Sequence, residues 1–180
     1  AIWVGARSNV DIYDCTIENF FNCGVVFGGR VDGIQLPPTV YADGNSVNNC
    51  IINNCARWVG FGQGCLMFGG QDNFEIGYST ITQTQRPSGQ NGWPIKYMND
   101  GYTRGGRIHH NTILKRPYQN DGWSFALEIF NLRGLEIDHN TIQGSVDFNY
   151  QGDRGTYPYV VWIHDNTIAQ PVKNTYNEEG

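Results

Sequence analysis

The sequence predicts an all-β parallel β-helix, a solenoid of about six coils with three short parallel sheets, and three observations predict it. A six-residue frame recurs along the chain, a second short apolar strand precedes each copy, and no window carries the 3.6-residue apolar stripe of a helix. Gly, at 23 of 180 residues, is also too frequent for long helices.

The frame is plainest in Ile108-His109-His110-Asn111-Thr112-Ile113, Ile137-Asp138-His139-Asn140-Thr141-Ile142 and Ile163-His164-Asp165-Asn166-Thr167-Ile168. Both isoleucines, the Asn and the Thr are kept, while the two residues before the Asn drift among His and Asp. Relaxing the frame to an apolar residue, two variable residues, a small polar residue, any residue and Ile finds three earlier copies. These are Ile12-Tyr13-Asp14-Cys15-Thr16-Ile17, Val47-Asn48-Asn49-Cys50-Ile51-Ile52 and Ile76-Gly77-Tyr78-Ser79-Thr80-Ile81. Successive copies start 26 to 35 residues apart, the variable period of coils whose connecting loops differ in size.

The preceding strands are Ile2-Trp3-Val4, Val25-Val26-Phe27, Leu66-Met67-Phe68, Ile95-Lys96-Tyr97, Leu127-Glu128-Ile129 and Val146-Asp147-Phe148. Together with the two halves of the frame they give three strands per coil. Runs of three to five residues with period-two alternation, bounded by Gly and Asn, read as strands. Equivalent residues of successive coils then stack about 4.8 Å apart.

On these frames the sequence resembles the right-handed parallel β-helix proteins of the pectin-lyase-like superfamily, over roughly residues 2 to 170. The resemblance implies a right-handed helix and an internal ladder in which the Asn of each frame occupies a tight bend. Asn111, Asn140 and Asn166 match that position, and Cys15, Cys50 and Ser79 replace it in the first three coils. Asn suits the place because it tolerates a left-handed backbone and its amide both donates and accepts. Residues 171–180 are expected as a polar tail.

The same stacking puts His109, Asp138 and His164 in one column and His110, His139 and Asp165 in the next. Such columns are competent to hold a metal. Mutual hydrogen bonding at a solvated surface accounts for them equally, and is the reading preferred from sequence.

A length of 180 residues fits one domain, and 39% apolar content supplies a slender solenoid core. A net charge of −5 without basic runs argues against a nucleic-acid partner, and no apolar stretch is long enough to span a membrane. All five cysteines fall in the first 65 residues; buried free thiols are expected, with one disulfide from Cys23 to Cys55 or Cys65 as the alternative of an oxidising setting. Because Ile2-Trp3-Val4 enters a core strand at once, flanking domains or end-to-end stacking of chains are expected to cap the solenoid.

Candidate chemistry lies on the first strand of each coil. With Leu127 and Ile129 inward, Glu128 points out, and one register aligns Trp3, Val26, Met67, Lys96, Glu128 and Asp147 in an outward column. Two adjacent carboxylates raise one another's pKa or recruit a cation such as calcium, and Lys96 offsets part of their charge. An alternative register, suggested by Trp93 and Trp123, would pair Lys96 with Ala126. The resemblance implies catalytic and calcium-binding groups on this sheet beside a sugar-binding groove. In a lyase, Lys96, Arg104 or Arg116 takes the proton α to a uronate carboxylate while Glu128 and Asp147 hold calcium; in a hydrolase, Glu128 and Asp147 form the carboxyl pair.

Aromatic residues of the long connections, among them Trp93, Tyr102, Tyr118 and Trp123, suit sugar faces at the groove's rim, with Arg104 and Arg116 available to an acidic glycan. The full aspartate clusters of the lyase and hydrolase families are not evident. The expectation is an extracellular or cell-surface protein engaging a polysaccharide. Its competitor is a non-catalytic glycan-binding or structural solenoid in which Lys96 and Glu128 form only an exposed ion pair.

Overall fold

The computed structural model describes residues 1–28, 41–57, 64–85, 92–97, 103–115, 125–130, 132–149, 161–169 and 172–174. They form a right-handed parallel β-helix, and every strand pair among them is parallel. The first sheet stacks Ile2–Val4, Val25–Phe27, Gly64–Phe68, Trp93–Tyr97, Phe125–Phe130, Ser145–Asn149 and Val172–Asn174. Its last strand lies in the segment expected as a tail. The two halves of the frame build the second sheet, from Asp11–Tyr13 to Val161–His164, and the third, from Thr16–Glu18 to Thr167–Ile168.

A fourth, narrow sheet was not foreseen. Ala42–Asp43, Gln71–Asp72, Thr103–Arg104 and Leu132–Arg133 stack at the corner between the first and second sheets. Strands of two residues are too short to carry an alternation pattern.

The frames' apolar residues form continuous inward columns. Ile12, Val47, Ile76, Ile108, Ile137 and Ile163 pair coil to coil in the second sheet, and Ile17, Ile52, Ile81, Ile113, Ile142 and Ile168 in the third. Val25, Leu66, Ile95, Leu127 and Val146 face them from the first sheet. Each fully buried aliphatic side chain contributes about 1.5–3 kcal/mol, so these columns fix the register of everything outside them. Phe74 fills the corner between Phe27 and Phe68, with ring centroids 5.0 and 4.9 Å away.

The ladder runs beside these columns as a chain of hydrogen bonds. Backbone N–H groups of Ser79, Asn111 and Asn140 each donate to the side-chain oxygen of the next ladder residue, Asn111, Asn140 and Asn166, at 2.9 Å. The amide of Asn140 donates to the carbonyls of Ile108 and Asp138 and to Asn166 Oδ1, at 2.8 to 2.9 Å. Ser79 keeps the pattern by accepting from the Cys50 N–H and donating to the Gly77 carbonyl. Cys50 and Cys15 donate their thiols to backbone carbonyls.

One part of the expected bend is corrected. The left-handed residue is not the ladder Asn but the one before it: Asp14, Asn49, Tyr78, His110, His139 and Asp165 have φ of 50° to 53°. The strained position faces outward, and the ladder position turns inward to saturate backbone groups that the bend leaves unpaired.

None of the five cysteines, all of them among the described residues, is in a disulfide. Cys23 Sγ lies 3.0 Å from Met67 Sδ, and burial pushes the thiols of Cys23, Cys50, Cys55 and Cys65 up in pKa. No helix of the described residues is long and apolar enough to cross a membrane.

Candidate functional site

Strand alternation alone turns Lys96, Glu128 and Asp147 away from the isoleucine columns, because Ile95, Leu127, Ile129 and Val146 point into them. The first sheet's register pairs Trp3 with Val26, Val26 with Met67, Met67 with Lys96, Lys96 with Glu128 and Glu128 with Asp147. The backbone of Lys173 continues the column beside Asp147. The alternative pairing of Lys96 with Ala126 does not occur.

Trp3 at its start is exposed, but from Val26 to Asp147 this outward column is buried. Lys96 is 4% exposed, Glu128 2% and Asp147 0%. Lys96 Nζ lies 3.0 Å from Glu128 Oε2, so the ion pair expected at the surface is a buried one. Cys23, Val26 and Met67 form a small apolar cluster on the same face. Trp93 is corrected with it: its indole is 2% exposed, not a rim residue, and Lys96 Nζ lies over the ring, 4.0 Å from the centroid. An ammonium and an aromatic face attract most strongly where water is excluded.

Burial sets the protonation of the pair. Loss of hydration lowers the pKa of Lys96, against the pull of Glu128. The same cause raises the pKa of Glu128, against Lys96 and with the help of the Asp147 charge. Burial therefore works against both charges, while each group's charge sustains its partner's. Two polar atoms here lack hydrogen bonds among the described residues: Trp93 Nε1, and Glu128 Oε2 apart from its contact with Lys96. Gly64 makes the packing feasible, since a Cβ there would come within 2.7 Å of Lys96 Cβ.

Calcium does not fit these residues. It takes six to eight oxygen ligands. Glu128 and Asp147 supply two carboxylates, and the Lys96 ammonium already stands where a cation would compensate Glu128.

The remaining predicted residues are not gathered at this column. Arg104 belongs to the narrow fourth sheet, where its guanidinium clasps both oxygens of Asp72 and stacks 3.8 Å from the Tyr41 ring centroid. Bonding to Asp72 raises its pKa still further, which leaves it no role as a base. Tyr102, Arg116, Tyr118 and Trp123 lie outside the described residues.

A second polar cluster lines the bend after the second sheet, with the columns stacked as the frames require. Asp138, 0% exposed, accepts two hydrogen bonds from Arg107, at 2.8 and 2.7 Å, and one from His139 Nδ1 at 2.7 Å. Arg107 first, then His139, holds the Asp138 carboxyl far below the usual carboxylate range. His109 Nε2 meets Glu75 Oε1 at 3.0 Å, and its Nδ1 lies 3.0 Å from His110 Nδ1. His164 is clasped between Asp165 and Glu136, both of which raise its pKa.

Arg107, Glu75 and Glu136 complete this network and were missed from the sequence. Their signal was present as opposite charges in register at the position before each frame, Glu75 beside Arg107 beside Glu136.

Comparison with family models, curated proteins and solved structures finds no match for this chain.

Proposed function

We propose that the chain is an extracellular, polysaccharide-engaging β-helix of the pectin-lyase-like superfamily that cleaves an acidic glycan by β-elimination at Lys96 and Glu128. The observation that carries the proposal is the buried pair itself, an amine and a carboxyl group 3.0 Å apart, each displaced toward its neutral form. Elimination needs that combination. A proton passing from the Lys96 ammonium to the Glu128 carboxylate within the pair leaves a free amine, which takes the proton α to the uronate carboxylate. The released electron pair forms the new C=C bond as the glycosidic C–O bond at the β carbon breaks, and Glu128 protonates the departing oxygen. The residues are left as an ammonium and a carboxylate, the ion pair from which the cycle began. Burial first, and the Asp147 charge after it, raise the pKa of Glu128, which makes Asp147 a positioning group for the acid.

A second reading is favoured by a specific observation, the 4, 2 and 0% exposure of Lys96, Glu128 and Asp147. A polymer must reach atoms covered in this structure, whereas a non-catalytic glycan-binding or structural solenoid needs no access. The ultraviolet absorbance of unsaturated uronate decides between them, measured on pectate, alginate and glycosaminoglycan polymers with the native chain and Lys96→Met. A rise that the folded variant lacks supports elimination. No rise on any polymer sinks it and leaves the binding or structural solenoid.

A further inference from the structure

The bend of the second sheet stacks two exposed imidazoles one coil apart, with candidate ligand atoms within 4.8 Å of each other, and we propose that His110 and His139 together bind a borderline divalent ion such as Zn2+, Ni2+ or Cu2+, with water completing its shell. Their rings stack with centroids 4.8 Å apart and planes within 1°. Both stand at the left-handed bend position, φ 53°, and both are exposed.

The tautomer of each ring is set from behind. His139 Nδ1 faces the Asp138 carboxylate at 2.7 Å, so the proton sits on Nδ1 and the lone pair on Nε2. Asp138 is itself anchored by two bonds from Arg107. At His110 the same result comes through a relay. Glu75 accepts from His109 Nε2–H at 3.0 Å, which leaves His109 Nδ1 as an acceptor for His110 Nδ1–H, also at 3.0 Å. His110 then carries its lone pair on Nε2. Each imidazole turns Nδ1 toward the side chain just before it, which leaves Nε2 of both rings outside these bonds.

An orienting carboxylate behind a metal-binding imidazole is a general device for fixing the ligand and raising its basicity. Bonds of about 2.0–2.1 Å bring the two nitrogens within roughly 4.2 Å at most. Because in-plane lone pairs of parallel rings do not converge, ion binding must rotate the stacked planes toward each other, a movement open to exposed side chains. Nitrogen ligands select Zn2+, Ni2+ or Cu2+ over calcium and magnesium. His164 is excluded from the pair because both of its ring nitrogens already meet carboxylates, at 2.9 and 3.0 Å. Gly77 is what lets His109 serve as the relay, since a Cβ at that position would lie 2.9 Å from the His109 ring.

Titration calorimetry of the full chain with Zn2+ and with Ni2+ tests the proposal, alongside His110→Asn, His139→Asn and His164→Asn. Asn49 occupies the same column at φ 53°, so Asn is compatible with the bend, and circular dichroism confirms that each variant folds. The expected result is one saturable site, weakened at least tenfold by either His110→Asn or His139→Asn and unchanged by His164→Asn. With Cu2+, the electron paramagnetic resonance spectrum shows two coordinated nitrogens in the native chain and fewer in each bend variant. Absence of saturable binding overturns the proposal, and so does binding that survives both bend substitutions, which would place the ion elsewhere, for instance on thiols.

Discussion

Replacing Lys96 by Met leaves Glu128 with no countercharge in a site where both side chains are at most 5% exposed. At 3.0 Å and an effective dielectric near 20, their attraction is about 5–6 kcal/mol. Desolvation of the two ions, several kcal/mol each, cancels most of it. The pair as a whole therefore adds little to stability, whereas losing one member costs about 3–5 kcal/mol, a large part of a typical domain's margin. Glu128→Leu should cost about the same, by stranding Lys96. The double variant Lys96→Met/Glu128→Leu should fall within about 1 kcal/mol of the native chain or exceed it in stability, giving a coupling energy of roughly 3 kcal/mol or more. Urea unfolding followed by circular dichroism and by tryptophan fluorescence measures all four proteins, the two probes checking that each transition is a single step. Single substitutions costing under about 1 kcal/mol, with no coupling, would show a solvated pair and refute the reasoning. A stabilised but inactive double variant would identify an ion pair kept for chemistry rather than for folding.

Asn140→Ala removes an amide that makes three donor bonds and accepts from both the backbone and the side chain of Asn111; it should cost about 3 kcal/mol or more in chemical unfolding, and a loss under about 1 kcal/mol would mean that the ladder is dispensable. Because Arg107 and His139 lower the pKa of Asp138, the stability it contributes is complete above the ordinary Asp value near 3.9 and is lost as pH falls below it. Thermal melts from neutral to acid pH should thus fall more steeply for the native chain than for Asp138→Asn, and parallel profiles would contradict the assignment. Gly106, at φ 114° with an added Cβ only 2.6 Å from the Phe74 carbonyl oxygen, should lose more than about 2 kcal/mol on Gly106→Ala, while Gly5→Ala, which meets nothing within 4 Å, should lose none.

The inward half of this structure was legible in the sequence because a parallel β-helix repeats its core residue by residue. Six frames located two isoleucine columns, and the ladder followed from the Asn between them. Misplacing the left-handed residue by one position came from judging Asn by its backbone tolerance, when its saturable amide decides the matter: His110 and His139 take the strained φ while Asn111 and Asn140 turn inward. The outward column at Lys96 was also legible as a register, but its burial was not. Alternation tells which way Glu128 points and says nothing of what lies over it. Trp93 read as a loop residue because Asn91-Gly92 precedes it and Pro94 follows, yet it extends the strand and meets the ammonium three residues on. The two-residue strands of the fourth sheet, including Thr103–Arg104, have no periodicity to detect.

The two polar sites share a cause and remain independent in energy. Frames that start 26 to 35 residues apart pair in direct register, so loop length does not decide which outward residues become neighbours. Lys96 meets Glu128, and His110 meets His139, only because the isoleucines between them are locked in phase. The first site lies on the outer face of the first sheet and the second at the bend between the second and third, with the apolar columns separating them. The stability changes of Lys96→Met and His110→Asn should therefore add within about 0.5 kcal/mol. A larger deviation would mean that the rigid core transmits strain between its outer faces, and each site would then have to be treated as a sensor of the other.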